Sequence, residues 1–275
     1  MSRFSPDRYR LQVTDRTFIL SRRKPRDREW QRAALGEHPS IVDFPTFMAA
    51  LTQFSHLRLP RGARWSALID DELARFFVVT PPEQVASLRE LQHVCALQCE
   101  SLFGDPAGDW ICMGDWRASG PFLVCALPKS LLQTLASVAS QQRARLDSVT
   151  PCFVQTWNEW APRMPQRQAW FAHITERHAV LVAASGGTPI AVSQLASPGC
   201  QDADALRTLI RRASLQWGIA TPSILYAAGD SMRRWHGHRV DGCRIQHLVP
   251  TLAHEASPTH AVLEAPCLPA EEPQT

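Results

Sequence analysis

The sequence predicts an α/β protein of two lobes, with mixed sheets and flanking helices. Three observations lead there. Apolar runs at 121–127 and 145–149 flank a helical period within about 30 residues, the size of a crossover unit. Three more apolar runs, at 169–175, 179–184 and 189–195, follow one another with turn residues between them. Behind them, residues 202–217 repeat apolar side chains every three or four positions, and a buried run follows at 223–226.

From the start of the chain, Leu11–Leu20 reads as a short hairpin around Thr14-Asp15-Arg16, and the polar, Arg-rich Ser21–Arg32 as a loop. Phe44–Phe54 reads as a helix started by Pro45. Trp65–Ile69 and Leu73–Val79, joined by Asp70-Asp71-Glu72, predict a hairpin that Pro81-Pro82 stops. From Glu83, the residues Val85, Leu88, Leu91, Cys95, Cys99 and Leu102 share one helical face that ends at Gly104. Trp110–Trp116 and Pro121–Leu127 read as a strand pair turning at Ser119-Gly120. Pro128 then opens a helix whose core face is Leu131, Leu132, Leu135 and Val138. The crossover spacing makes Arg145–Val149 a parallel neighbour of 121–127. A short Trp-rich helix follows, with Phe153, Trp157 and Trp160 at helical spacing.

Pro162 and Pro165, just before and within Arg163–Arg167, mark the domain boundary. Residues 1–162 form the first lobe, with 1–60 the least clearly assigned part, and 163–250 the second. The polar, Pro-rich 251–275 reads as a flexible tail. In the second lobe Ala169–Thr175, Ala179–Ala184 and Pro189–Leu195 are strands, turning at Glu176-Arg177 and Ser185-Gly186-Gly187. Asp202–Trp217 is a helix that buries Leu206, Leu209, Ile210 and Ala213. Ser223–Tyr226 is a buried strand, and Arg244–Val249 one more.

Composition narrows the function classes. The chain has 275 residues, 45% hydrophobic and 20% charged, and none of its runs reaches the roughly 18–20 apolar residues of a membrane span. Met1–Arg8 lacks the apolar core of a secretory signal, so a cytoplasmic address is expected. Eight scattered cysteines read as reduced, buried small hydrophobes. A net charge of +3 neither demands nor excludes an anionic partner.

The stretch Cys125-Ala126-Leu127-Pro128-Lys129, then a helix, then Arg145-Leu146-Asp147-Ser148-Val149-Thr150-Pro151 and another helix carries a resemblance. It resembles the actin-like cytoplasmic protein of type IV pilus assembly, and is similar to the cytoplasmic half of the type II secretion inner-membrane protein L. The resemblance covers roughly residues 60–230. It implies an actin-like (ribonuclease H-like) fold in which ATP is held between the lobes on glycine-containing turns. In His173-Ile174-Thr175-Glu176-Arg177-His178-Ala179, Glu176 could imitate the acidic residue, but Arg177 and His178 replace the small residues that let backbone approach a phosphate. Ala227-Ala228-Gly229-Asp230 keeps one glycine of an expected pair, and Thr14-Asp15-Arg16 has none. Neither a Walker loop nor a G-x-G-x-x-G sequence occurs elsewhere.

The resemblance with these degraded motifs implies a non-enzymatic scaffold without a cofactor, cytoplasmic and peripheral to the inner membrane. It would bind a segment of a single-span inner-membrane protein of a pilus or secretion assembly. The partner-binding candidates are Trp65 and Phe76, taken as exposed aromatics of the 65–79 hairpin. The alternative is an actin-like ATPase with an unorthodox nucleotide site.

Other constellations have plainer readings. The histidines of Trp235-His236-Gly237-His238 make an incomplete metal site, and Cys95 and Cys99 lie on a core face. Lys129-Ser130 is explained by helix initiation after Pro128 rather than as a catalytic dyad. The basic stretch Arg22–Arg28 is diluted by Asp27 and Glu29 and reads more readily as a solvated loop than as an anion-binding arm. Given the resemblance, lipid headgroups are the better anion, and nucleic acid is not expected as a partner. Nine tryptophans are explained by a Trp-rich core or, more sharply, by a partner surface.

Overall fold

The computed structural model describes residues 7–248 except 15, 25, 28, 39–42, 59, 84, 86, 118, 165–167, 176 and 197–201. The expected flexible tail, 251–275, lies outside the described residues, as do Asp15, Glu176, Cys200 and Cys267.

The chain opens with β1 (Arg8–Val13) and β2 (Thr17–Arg23), an antiparallel hairpin as the alternating pattern predicts. β3 (Gln31–Glu37) then adds antiparallel to β2. The sequence reading had placed a loop up to residue 32. β3 is an edge strand exposed along most of its length, so it lacks the apolar alternation that betrays a strand. Helix α1 (Phe44–Arg58) buries Phe47 and Leu51. β4 (Arg64–Ile69) returns parallel to β1.

Here the predicted hairpin fails. β4 and β5 (Arg75–Val79) belong to different sheets. Asp70 instead caps a short 3-10 turn, Asp71–Leu73, its Oδ1 accepting from Glu72 N at 2.9 Å. Helix α2 (Leu88–Phe103) follows, with the Ser87 side chain accepting from Glu90 N. It ends on Gly104, whose φ of 77° only glycine adopts freely. Leu91, Cys95 and Cys99 face its core, while Leu88 and Leu102, at its two ends, are exposed.

β6 (Trp110–Gly114) and β7 (Phe122–Pro128) pair antiparallel as predicted. The second edge of β7 takes β5, also antiparallel. No edge is left for β8 (Arg145–Pro151), which follows helix α3 (Lys129–Gln141) and lies beside β4. The expected parallel pairing of 121–127 with 145–149 therefore does not form. Helix α4 (Cys152–Trp160) buries Phe153 and Trp157.

Apart from a short added strand, β13, the remaining elements follow the prediction. β9 (Gln168–Ile174), β10 (His178–Ser185) and β11 (Thr188–Ala196) form an antiparallel meander. Helix α5 (Ala203–Trp217), capped by Asp202 and closed by Gly218, buries the four residues its period predicts. β12 (Ile224–Ala228) pairs parallel to β9, and β13 (Arg239–Val240) and β14 (Cys243–His247) complete the sheet.

The chain divides into two compact units that interleave in sequence instead of separating near residue 163. Of the described residues, the first holds those up to Ile69 and Ser130–Thr150, the second Asp70–Lys129 and those from Pro151 to Leu248. The first unit has one sheet in the order β3-β2-β1-β4-β8. The second has a six-stranded sheet, β11-β10-β9-β12-β14-β13, and a three-stranded one, β5-β7-β6, under α2. Both large sheets share a plan, in which a three-stranded meander is followed by a helix and a strand parallel to the first.

Trp65 and Phe76, taken from the sequence as exposed anchors, are core residues. Trp65 is 1% exposed on the buried face of β4, and Phe76, at 3%, packs its ring edge on Phe153. Alternation had placed both in strands correctly, but a hairpin with a free face does not exist to expose them. Among the nine tryptophans, Trp65, Trp157 and Trp170 are buried and the others half-buried. Among the described residues, no helix is long and apolar enough to cross a membrane.

Candidate functional site

Two hairpin turns occupy the places where the sequence reading sought phosphate contacts. The β1–β2 turn runs from Thr14 to Thr17. Thr14 N donates to Thr17 O at 2.9 Å, and Thr17 N donates to Thr14 Oγ1 at 3.1 Å. The two hydroxyls lie 2.7 Å apart, and His38 Nε2 is 2.9 Å from Thr14 O. The β9–β10 turn repeats this wiring. Thr175 N donates to His178 O at 2.8 Å, His178 N donates to Thr175 Oγ1 at 3.1 Å, and the Thr175 hydroxyl donates back to His178 O at 3.0 Å.

A phosphate-cradling turn presents its backbone N–H groups to the ligand. Here a threonine hydroxyl takes the amide at the far corner of each turn. The Arg177 guanidinium turns to Glu72, 3.7 Å away. The likeness between Thr14-Asp15-Arg16 and Thr175-Glu176-Arg177 was a signal available in the sequence, since both open a threonine, acid, arginine turn at the same place in the repeated plan.

Gly229, the one glycine kept after β12, serves packing. Its φ is 113°, and a Cβ there would stand 2.0 Å from Ile174 O. The Ser231 hydroxyl donates to that same carbonyl at 3.2 Å. The glycine thus seats the turn after β12 against the end of β9.

A polar group of the second unit centres on Asp71, which the sequence places in the link of a hairpin. Its side chain is 1% exposed. Oδ1 accepts from Phe153 N at 2.8 Å, and Oδ2 lies 2.7 Å from His173 Nδ1. The first bond caps α4, whose own N-cap, Pro151, has no side chain able to do so. Gln194 of β11 extends the cluster. Its Nε2 donates to Ala74 O at 2.8 Å and to Asp71 O at 3.3 Å, and its Oε1 accepts from Phe76 N at 3.1 Å. This side chain ties β11 to the edge of β5. His178 is held below its usual pKa by burial, partly countered by the charges of Asp71 and Glu72. Its Nδ1 is buried with no hydrogen-bond partner among the described residues, as suits a neutral ring. No periodicity could have revealed Asp71, because its partners lie 82 and 102 residues away.

The minor candidates resolve locally. His247 N donates to His236 Nδ1 at 3.2 Å. Cys95 and Cys112 are pushed up to about 12 by burial, and Cys99 is raised for the same reason. Among the described residues, no group of three or more ligating side chains could hold a metal ion. Lys129 and Ser130 start α3.

No protein-family model matches the chain, and no curated protein matches it in sequence. Solved structures do resemble it. A Bacteroides thetaiotaomicron protein with an actin-like ATPase fold and unknown function is 12% identical, with 83% of this chain and 85% of that one covered, at a TM-score of 0.56. The PilM–PilN type IV pilus biogenesis complex gives 14% identity, 86% and 87% coverage, and a TM-score of 0.58. The cytoplasmic domain of EpsL, an inner-membrane component of the Vibrio cholerae type II secretion system, gives 12%, 80% and 81%, and 0.49. At such identities the likeness is one of architecture. The fold is actin-like, as the sequence resemblance implied.

Proposed function

We propose that this chain is a catalytically degenerate actin-like scaffold that binds a segment of a single-span inner-membrane protein in a pilus or secretion assembly. The observation that carries this reading is the pair of turns closed on Thr14 and Thr175, in each of which a threonine hydroxyl takes one backbone amide, together with the bulky Arg177 and His178 where small residues would let a phosphate approach. The likeness to one chain of a PilM–PilN complex supports a protein partner over a nucleotide. Because Trp65 and Phe76 are core, the anchors for a bound segment are side chains left in solvent, such as Leu88, Leu97 and Leu102 of α2. The working location is the cytoplasmic side of the inner membrane, with lipid headgroups as a second contact.

Calorimetry and thermal shift with millimolar magnesium-ATP test the first half, and the expected result is no binding and no stabilisation. Synthetic peptides matching the cytoplasmic N-terminal segments of single-span proteins encoded nearby test the second. One of them should bind, and Leu97→Asp should weaken it roughly tenfold or more if this leucine is an anchor. Magnesium-dependent stabilisation that Glu176→Ala abolishes would instead establish the ATPase alternative.

A further inference from the structure

One end of the first unit's sheet is crowded with cations. β1 begins there at Arg8, β2 ends there at Arg23, and β4 begins there at Arg64. Arg8 stands directly opposite both Arg23 and Arg64 in the ladder. Like charges facing one another across strands repel, and in this row Arg64 is paired with Asp147 while Arg23 lies over the Trp30 ring. Loops at the same end add more. Gly62 N donates to Gln142 O and Arg145 N to Ala63 O, which brings the exposed Arg61 and Arg143 to the same edge.

The described residues among 7–10, 22–32, 61–64 and 143–147 include eleven basic and four acidic ones, an excess of seven in a chain whose net charge is +3. The rest of the chain is therefore net negative. Two of the acids are engaged, Asp7 with Arg22 and Asp147 with Arg64 and Arg145. Trp30 sits among these cations, its ring centroid 4.4 Å from the Arg10 guanidinium carbon and 5.0 Å from that of Arg23. The Thr14–Thr17 turn lies at the other end of β1 and β2, about 20 Å away along six residues of strand. The arginines therefore do not serve that turn.

We propose that this end of the first unit's sheet lies against an anionic phospholipid bilayer. The cations are spread over the ends of neighbouring strands spaced about 4.8 Å apart and over the loops beside them, which suits a plane of charge better than a compact ligand. Guanidinium groups pair bidentately with phosphate, and tryptophan favours the depth of lipid headgroups. The choice of a bilayer over another polyanion rests on the membrane-side role proposed above.

The full chain is to be sedimented with vesicles of phosphatidylcholine, with and without about one third phosphatidylglycerol. It should bind only the anionic vesicles, and binding should fade as salt rises from about 50 to 500 mM. Each basic residue at such a surface strengthens binding about fivefold, so Arg26→Glu/Arg32→Glu/Arg61→Glu should weaken it by about a hundredfold or more. Arg212→Glu/Arg233→Glu/Arg239→Glu makes the same charge change on exposed sites of the second unit and should bind like wild type. Thermal melts confirm that both variants fold.

Equal binding to neutral vesicles, equal loss in both variants, or displacement of the protein from vesicles by duplex DNA at low concentration would overturn the proposal. The first variant should still capture the partner peptide. If peptide capture succeeds and vesicle binding fails, only the membrane surface is refuted. If anionic vesicles bind through these arginines and no peptide does, only the scaffold reading is.

Discussion

Gly229 shows how much one residue's backbone can decide. Its φ of 113° is open to glycine alone, and Ile174 O leaves no room for a Cβ. Gly229→Ala should cost about 3 kcal/mol in urea denaturation, from strain and overlap together, without any nucleotide present. His178 makes a second residue-scale prediction. Burial lowers its pKa below 6.5, so between those values the unfolded chain binds the proton and the folded one does not. Stability is therefore present above about pH 6.5 and lost as pH falls through that window, by at most ~1.4 kcal/mol per pH unit from this group. His178→Gln should flatten the decline between about pH 7.5 and 5.5, measured by denaturant midpoint against wild type. An unchanged slope would mean that folding leaves the pKa of the ring where it is in the unfolded chain. The sequence marks His178 as a departure from a phosphate turn and Gly229 as the glycine retained from an expected pair, but it had no means of showing what each one touches.

At the scale of elements, the junctions carry the polar chemistry. Asp71 caps α4 from 82 residues away, braces His173 at the end of β9, and shares Gln194 with the edge of β5. Asp71→Ala strands a helix N–H and an imidazole in the core and should cost about 3 kcal/mol. Asp71→Asn keeps an acceptor for Phe153 N and can face the other tautomer of His173, so it should lose less than half as much. Equal losses from the two substitutions would show that shape, not hydrogen bonding, matters at this point. Helices α2 and α5 were legible because their period, caps and closing glycines agree. β3 was not, because an exposed edge strand has no face to mark.

At the scale of the molecule, the same plan of meander, helix and parallel strand occurs in both units, and the sequence carries it openly in 169–227. In the first unit it is interrupted after β4 by the whole of Asp70–Lys129, which joins the second unit. By itself the sequence determined the α/β class, the second meander with its helix and strand, the core faces of α2, α3 and α5, and the loss of small residues from the candidate phosphate turns. These are properties of local periodicity and residue size, which act over a few positions. Only the tertiary structure decided that β4 joins β1 and β5 joins β7, that Trp65 and Phe76 are buried, that Asp71 is a hub, and that scattered arginines converge on one end of a sheet. Each of these depends on pairings between segments far apart in the chain. Such pairings are chosen by which strand edge remains open and which buried polar group still needs a partner, and neither is written in any short stretch of residues.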